Sequence, residues 1–371
     1  MKKIFVISMF LLLITTGCSG NGTQNPEAEQ EDNLNEREDE GQEVEQTVQI
    51  EEPEVITGNL EIPWSIEKFE NSFYLAERPG YIVKIDNRVT ERQSVALEKD
   101  ISTAPEAGLL GFVLAPDFAE SNLAYANYTY VDDSGQFNRI VTLHLEDNIW
   151  REESLLLDHI PSGTYHHGGR LKIGPDGMLY TTTGDASEPN IAQDLDSLGG
   201  KILRINLDGT IPSDNPFPDS YVYSYGHRNP QGITWSSDGM LFSSEHGSRA
   251  NDEVNLIEVG QNYGWPITEG SEEQEGMVSP LFTSGDLETW APSGMDYYDG
   301  RLYVAALRGS AVLEFDLEAG EQREIITGFG RIRDVLIEDN SLYFISNNTD
   351  GRGVPEENDD KLYRISLSEL N

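Results

Sequence analysis

The 371-residue chain carries 66 acidic side chains against 25 Lys and Arg, a net charge of −41 with its six histidines neutral. Such a charge excludes nucleic acid as a partner and excludes electrostatic docking on anionic lipid, because both are themselves polyanionic. A single cysteine, Cys18, excludes an intramolecular disulfide, so the fold must stand on its core.

At the amino terminus, Met1-Lys2-Lys3 precede an apolar run from Ile4 to Ile14 and then Thr15-Thr16-Gly17-Cys18. A positive start, a short apolar stretch and a small residue before the break form a secretory signal, too short to span a bilayer as a finished helix. A lone Cys at that point resembles a bacterial lipobox, although Thr15 stands where that motif has Leu. Residues 1–18 are therefore expected to be a lipoprotein signal, with Cys18 lipidated and the protein exported to the outer face of the bacterial cell membrane. The alternative is cleavage nearby with Cys18 discarded. From Ser19 to Val55 there are 13 acids and one base, Arg37, interspersed with Gly, Asn, Gln and Pro. Such a stretch cannot bury enough apolar surface to offset its ordering entropy, and a disordered acidic tether over 19–55 is expected.

The remainder, 56–371, has 53 acids and 22 bases and is long enough for one large core. Helical periodicity is hard to find in it. Instead a turn with Gly, Asn or Asp is followed by an alternating run centred on Leu-Tyr or a close relative. The copies end in Tyr74, Tyr125, Tyr180, Phe242, Tyr303 and Tyr343, spaced 51, 55, 62, 61 and 40 residues apart. Repeats near this length, each giving about four strands, mark a β-propeller, and six copies predict an all-β, six-bladed one. A pair of β-sandwiches is the alternative, but it has no need of six similar hairpin signatures. The run Lys361–Ile365 is expected to pair with an early strand and close the ring.

Propeller chemistry sits in loops, and several loops here carry unusual side chains. In Tyr165-His166-His167-Gly168-Gly169-Arg170 a Gly-flanked histidine is a plausible general base near neutral pH. Asp185 follows one strand later and could fix its tautomer; an unremarkable pair of loop histidines with a turn Asp is an equal alternative. Arg228-Asn229 form a donor cluster on a Pro-constrained turn. Around His246-Gly247-Ser248 a Gly-Ser turn exposes carbonyls near Asp252 and Glu253, hard oxygen donors suited to calcium, although a solvated acidic loop reads the same way. Arg308, Arg331 and Arg333 are notable because positive charge is scarce. Arg331 and Arg333, two apart, would share one face of a strand and suit an anionic partner, with internal salt bridges as the alternative.

Taken together, GLLGFVLAPDF (Gly108–Phe118), HHGGRLKIGPDG (His166–Gly177), GGKILRINLDGTIPSDNPF (Gly199–Phe217), YGHRNPQG (Tyr225–Gly232), SEHGSRANDEVNLIEVGQNYGWP (Ser244–Pro266), RIRDV (Arg331–Val335) and DGRG (Asp350–Gly353) resemble, in this order, the glucose/sorbosone dehydrogenase family. That family contains the soluble quinoprotein glucose dehydrogenases and the aldose sugar dehydrogenases. The resemblance runs from about Gly58 to the end of the chain, and it implies a six-bladed propeller holding pyrroloquinoline quinone (PQQ) and Ca²⁺. The activity it implies is oxidation of an aldose at C1 to the lactone, with electrons passed to an external acceptor. His166 matches the catalytic base, Asp185 its orienting carboxylate, and Arg228 the residue stabilising charge on the quinone oxygen. Asn229 and His246 match cofactor contacts, and Arg308, Arg331 and Arg333 the partners of the PQQ carboxylates. Gly247 and Ser248 match the carbonyl ligands of the PQQ-bound calcium, and Glu253 and Tyr263 the ligands of a second, structural calcium.

The chain departs from the glucose enzyme at Glu106 (there Gln), His246 (Gln), Ser248 (Pro) and Arg308 (Lys). The insertions that build that enzyme's dimer and pocket are absent after Pro266, so a monomer acting on a broader range of aldoses is expected. Two competing readings remain at this level: a non-redox propeller binding sugar or cell-wall material, and a calcium-dependent lactonase. For the lactonase no convincing set of central carboxylates is found.

Overall fold

The computed structural model describes Glu52–Leu370; the expected signal, the lipobox cysteine and most of the acidic tether lie outside the described residues. The described chain is built of strands with only one short α-helix, Phe118–Ser121. After β1 (Glu54–Thr57) come β2 (Pro63–Phe69), β3 (Ser72–Glu77), β4 (Tyr81–Asp86) and β5 (Val89–Ala96). Next are β6 (Leu109–Leu114), β7 (Leu123–Asp132), β8 (Gly135–Glu146) and β9 (Ile149–Pro161), then β10 (Leu171–Ile173), β11 (Leu179–Thr183), β12 (Lys201–Ile205) and β13 (Val222–Tyr225). They are followed by β14 (Pro230–Trp235), β15 (Leu241–Glu245), β16 (Glu253–Ile257) and β17 (Phe282–Thr283), and by β18 (Pro292–Tyr298), β19 (Arg301–Ala306), β20 (Ala311–Asp316) and β21 (Glu321–Thr327). The chain finishes with β22 (Ile332–Glu338), β23 (Ser341–Ser346) and β24 (Leu362–Ser366).

The strands β10–β13, β14–β17 and β18–β21 each form a four-stranded sheet in chain order, and a fourth such sheet has the order β1-β24-β23-β22. An eight-stranded sheet unites β2–β5 with β6–β9. The two halves are joined by a parallel pairing of β5 and β9 over Ser94–Ala96 and Ile149–Arg151, whereas every pairing within each half is antiparallel. The expected closure is observed: Glu54 pairs with Arg364 and Val55 with Tyr363, so the first strand completes the last sheet. Glu54 and Val55 thus belong to the folded body, and the tether ends earlier than the sequence suggests. Packing runs round a ring, with β2 beside β6, β6 beside β10, β11 beside β14, β14 beside β18, β18 beside β22, and β22 beside β2.

The Leu-Tyr repeat has a direct physical cause. Adjacent residues of a strand point to opposite faces, and in a propeller both faces are covered by neighbouring sheets. Tyr74 packs with Phe112 and Trp150 of the other half of the eight-stranded sheet, while its neighbour Leu75 packs back against Tyr343 and Ile345 of the last sheet. Tyr125 likewise meets Leu171 and Leu203, Tyr180 meets Ile233 and Leu241, and Phe242 meets Met295 and Leu302. Tyr303 meets Val335 and Leu342, and Tyr343 closes the circle on Phe73 at 4.9 Å between ring centroids. Each such side chain contributes about 1.5–3 kcal/mol on burial. The tight hairpins also follow from sequence. Asp147-Asn148, Asp299-Gly300 and Asp339-Asn340 hold both central φ angles positive, between 47° and 79°, which only Gly, Asn and Asp adopt readily.

Antiparallel order decides where function can sit. In a four-stranded meander the link into the first strand and the loop between the second and third strands lie at the same end. Glu106, His166, Arg228, Thr289 and Arg331 lie on links of the first kind, and Asp185, His246, Arg308 and Arg352 on loops of the second kind.

Candidate functional site

These loops line a cavity of about 750 Å³. Its floor and walls include Glu106, His166, Arg228, Asn229, His246, Gly247, Ser248, Arg308 and Arg331. A deeper, smaller cavity shares Glu106 and His246 with it and is lined by Gln231 and Arg333.

His166 is placed by backbone geometry. Its φ is +67° and those of Gly168 and Gly169 are +60° and +97°, a turn in which a Cβ at Gly168 would press on Thr182 and Thr183. The imidazole Nδ1 meets the Asp185 carboxylate at 2.7 Å. Asp185 is fully buried, and its other oxygen accepts the Trp265 indole N–H at 2.8 Å. The Ser187 N–H also donates to Asp185, and the Asp185 N–H donates to the Arg228 carbonyl. A carboxylate can only accept, so the His166 proton sits on Nδ1 and the Nε2 lone pair is free on the cavity side. His167 has a different task. Buried, it donates from Nε2 to the Pro105 carbonyl and accepts at Nδ1 from the Ser162 hydroxyl, and burial lowers its pKa.

Arg228 reaches the cavity from the loop ahead of β14. Its backbone N–H donates to Glu245, its Nη1 donates to the His246 carbonyl at 3.2 Å, and its guanidinium lies 5.2 Å from the Trp265 ring. Burial lowers its pKa, opposed by Asp185, Glu269 and Glu245. Its Nε is buried without a hydrogen-bond partner, as is Nε2 of His246. Burial, opposed by Asp252 and Glu106, pushes the His246 imidazole down to about 4, so it is neutral at pH 7. Asn229 is buried and accepts the Gly168 N–H, which ties the His166 turn to the Arg228 loop.

Asp252 shapes the next loop. Its carboxylate accepts from the N–H groups of Gly247, Trp290 and Ala291 and from the Thr289 hydroxyl. Position 247 tolerates no side chain, since a Cβ would collide with the Ala250 carbonyl oxygen. Gly247 and Ser248 line the cavity, and among the described residues their carbonyls accept no hydrogen bond. Glu253 and Tyr263 line a small adjoining pocket with Glu245 and Glu269, which shares Arg228, His246 and Gly247 with the main cavity. The Tyr263 hydroxyl is already committed to the Leu256 carbonyl and the Glu258 N–H, so Tyr263 can offer a metal only its own carbonyl. No cluster of three or more His, Cys, Asp or Glu side chains suited to a metal occurs among the described residues.

The basic residues divide into three kinds. Arg308 is exposed and has no ion pair among the described residues. Arg331 is held by Asp350 at 2.9 Å and by the Leu307 carbonyl. Arg333 lies deeper, donating to Asn347 at 2.9 Å and Gln231 at 3.0 Å; burial and the nearby Arg331 push it down to about 9, still charged at neutral pH. Arg331 precedes β22 and Arg333 lies within it, and both guanidiniums reach the same Asp350 carboxylate oxygen, at 2.9 Å and 3.9 Å, so an internal ion pair accompanies the pair of cations.

Two functional neighbours escape the sequence reading. Trp265 completes the Asp185 carboxylate. Arg352 pairs with Glu106 at 2.6 Å across 246 residues of chain. Glu106 also accepts the His166 N–H at 3.3 Å. Burial alone would raise the Glu106 pKa, but the Arg352 guanidinium, with His246 and His167 farther off, holds it at about 2.

Fold and site together define an all-β propeller with a polar, arginine-rich cavity and a histidine–carboxylate pair at its wall, the framework of an oxidoreductase of the propeller type. Residues 60–363 match the family model described as glucose/sorbosone dehydrogenase, and the chain belongs to that family. An aldose sugar dehydrogenase of Escherichia coli K12 is 30% identical over 344 residues, 80% of this chain and 90% of that protein. Quinoprotein glucose dehydrogenase B of Acinetobacter calcoaceticus is 34% identical over 256 residues, 60% of this chain and 54% of that one. The PQQ-bound aldose sugar dehydrogenase of Streptomyces coelicolor superimposes with a TM-score of 0.79 at 34% identity, covering 84% of this chain and 96% of that chain.

Proposed function

We propose that this protein oxidises aldose sugars at C1 to the lactone, with PQQ as two-electron acceptor, Ca²⁺ as its companion ion and an external acceptor taking the electrons onward. The observation that carries the reading is the His166–Asp185 pair at 2.7 Å on the wall of a cavity bearing Arg228, Arg308 and Arg331. In this reading the eight-stranded sheet is two blades joined at their outer edges, which makes six blades in all.

The donor set suits PQQ. The cofactor carries three carboxylates, and Arg308, Arg331 and Arg333 supply cations for such groups. The buried, unpartnered Nε of Arg228 and Nε2 of His246 are polar atoms that a bound heterocycle would satisfy. The free carbonyls of Gly247 and Ser248 are hard donors of the type calcium takes, with Glu253 and the Tyr263 carbonyl assigned to a second ion. When bound, PQQ supplies the hydride acceptor, which no side chain can provide. The chain supplies the proton chemistry: His166 Nε2 accepts the proton of the C1 hydroxyl, and Asp185 stabilises the imidazolium that results. Arg228 places positive charge beside the reacting end, and Asn229 fixes the turn that carries His166.

The expected export signal and Cys18 anchor would place this propeller on the outer face of the cell membrane as a monomer, tethered by lipid alone. No helix among the described residues is long and apolar enough to cross a membrane. The test is reconstitution of the purified protein with PQQ and Ca²⁺, followed by dye reduction with a panel of aldoses. Sugar binding without quinone uptake would instead support a non-redox sugar- or cell-wall-binding propeller.

A further inference from the structure

Arg352 stands out because it lies on the loop between β23 and β24, far in sequence from the residues it touches. Its Nη1 donates to Glu106 at 2.6 Å, and its guanidinium lies 5.9 Å from the ring of Tyr165, the residue before His166. The second Glu106 oxygen accepts the His166 backbone N–H at 3.3 Å. Both Glu106 and His166 sit in the left-handed region, at φ +66° and +67°, where a non-glycine residue needs outside support. The Arg352 N–H donates to Asp350, and Asp350 is itself fixed by Arg331. The same loop is pinned independently by Asp360, which accepts from the Asn348 N–H and the Thr349 hydroxyl. Loss of the Arg352 side chain therefore leaves the loop anchored.

We propose that Arg352 is a positioning residue of this site: acting through Glu106, it clamps the backbone of His166 and shields the imidazole from the Glu106 carboxylate. The inference rests on reading His166 as the base. The charged and titratable groups around His166 are Asp185 at Nδ1, Arg228 beyond Asp185, His167 next in the chain, and the Glu106–Arg352 pair at its backbone N–H. Around Glu106 itself stand His246 and His167, and Arg78 and Arg333 feel its charge. With Arg352 present, Glu106 and Arg352 are jointly neutral. Without it, an uncompensated carboxylate stays bonded to the His166 backbone N–H, and its charge favours the imidazolium, which cannot accept a proton.

The test uses the full chain. In the PQQ- and Ca²⁺-loaded protein, Arg352→Gln should move the acid limb of kcat/KM upward by about one pH unit, the effect of one nearby opposite charge on a histidine. Arg352→Lys should restore most of it, and in a Glu106→Gln background Arg352→Gln should have almost no further effect. The same shift is read without cofactor or turnover by NMR titration of the His166 imidazole in the wild type, Arg352→Gln and Glu106→Gln/Arg352→Gln proteins, with His166→Asn identifying the resonance. Equal titration midpoints in all three, or the same shift with and without the Glu106 carboxylate, would overturn the proposal. Absence of sugar oxidation by the loaded wild type would count against the proposed function instead, and the NMR series would still decide the role of Arg352.

Discussion

Asp185→Asn is the sharpest single perturbation of the site. The carboxylate accepts three donors: His166 Nδ1 at 2.7 Å, the Ser187 N–H at 2.8 Å and the Trp265 indole N–H at 2.8 Å. A carboxamide offers one oxygen and one NH₂ in the same space. If the oxygen faces Trp265, the NH₂ faces His166 and the Ser187 N–H, so Nδ1 must become an acceptor and the Ser187 donor is left opposed by another donor. The imidazole proton then moves to Nε2, and the lone pair proposed to take the substrate proton is lost. If the NH₂ faces Trp265, two donors oppose each other in a fully buried site, at a cost of about 1–3 kcal/mol. Either orientation removes the charge that stabilises the imidazolium. General-base catalysis contributes about 10²–10⁴-fold, and kcat for aldose oxidation should fall by that order while PQQ affinity changes little. The assay is dye reduction by the PQQ- and Ca²⁺-loaded variant, alongside equilibrium dialysis for PQQ. A kcat within about threefold of wild type would refute the base–orienter assignment, since removal of any real general base costs about 10²-fold or more.

Other outcomes follow from the same geometry. Arg308→Ala removes an exposed guanidinium with no partner among the described residues, so the Kd for PQQ should rise about tenfold, the equivalent of ~1.4 kcal/mol, with an unchanged melting curve. Arg333→Met should weaken PQQ binding too, but it leaves the Asn347 and Gln231 oxygens unpaired and should also lower Tm by several degrees. Gly247→Ala forces a methyl onto the Ala250 carbonyl, and a calcium titration should show weakened binding as the loop shifts. Trp150→Ala, at a site with 0% exposure where the indole also donates to Gln93, should cost about 3–5 kcal/mol in chemical denaturation.

What the sequence reveals here depends on the range of the interaction. The strand signal is strong because the Leu-Tyr strands, second in their sheets, are buried on both faces, so Leu and Tyr alternate without a polar partner between them. The tight turns announce themselves through Asp-Gly and Asp-Asn pairs, whose backbones accept positive φ. Within the site, His166 and Arg228 sit in short Gly- and Pro-marked motifs and are legible as candidates. Their partners are less so. Trp265 reaches Asp185 across 80 residues and Arg352 reaches Glu106 across 246, and nothing local in either segment specifies which loops converge. Arg331 and Arg333, two apart, both reach the Asp350 carboxylate, a partner on a later loop that their own segment does not specify. The end of the acidic stretch misleads. Glu54 and Val55 have the composition of the tether, yet their backbone supplies the outer strand of the last sheet.

The central claim is that the arginine-lined cavity is a quinone site served by His166. Its most direct measurement is the absorbance spectrum of the protein after incubation with PQQ and Ca²⁺ and exhaustive dialysis, recorded before and after addition of an aldose. The expected result is a retained quinone band that is bleached by the sugar in the wild type, and retained but unbleached in His166→Ala. A spectrum without quinone after dialysis, or equal bleaching with and without His166, would contradict it.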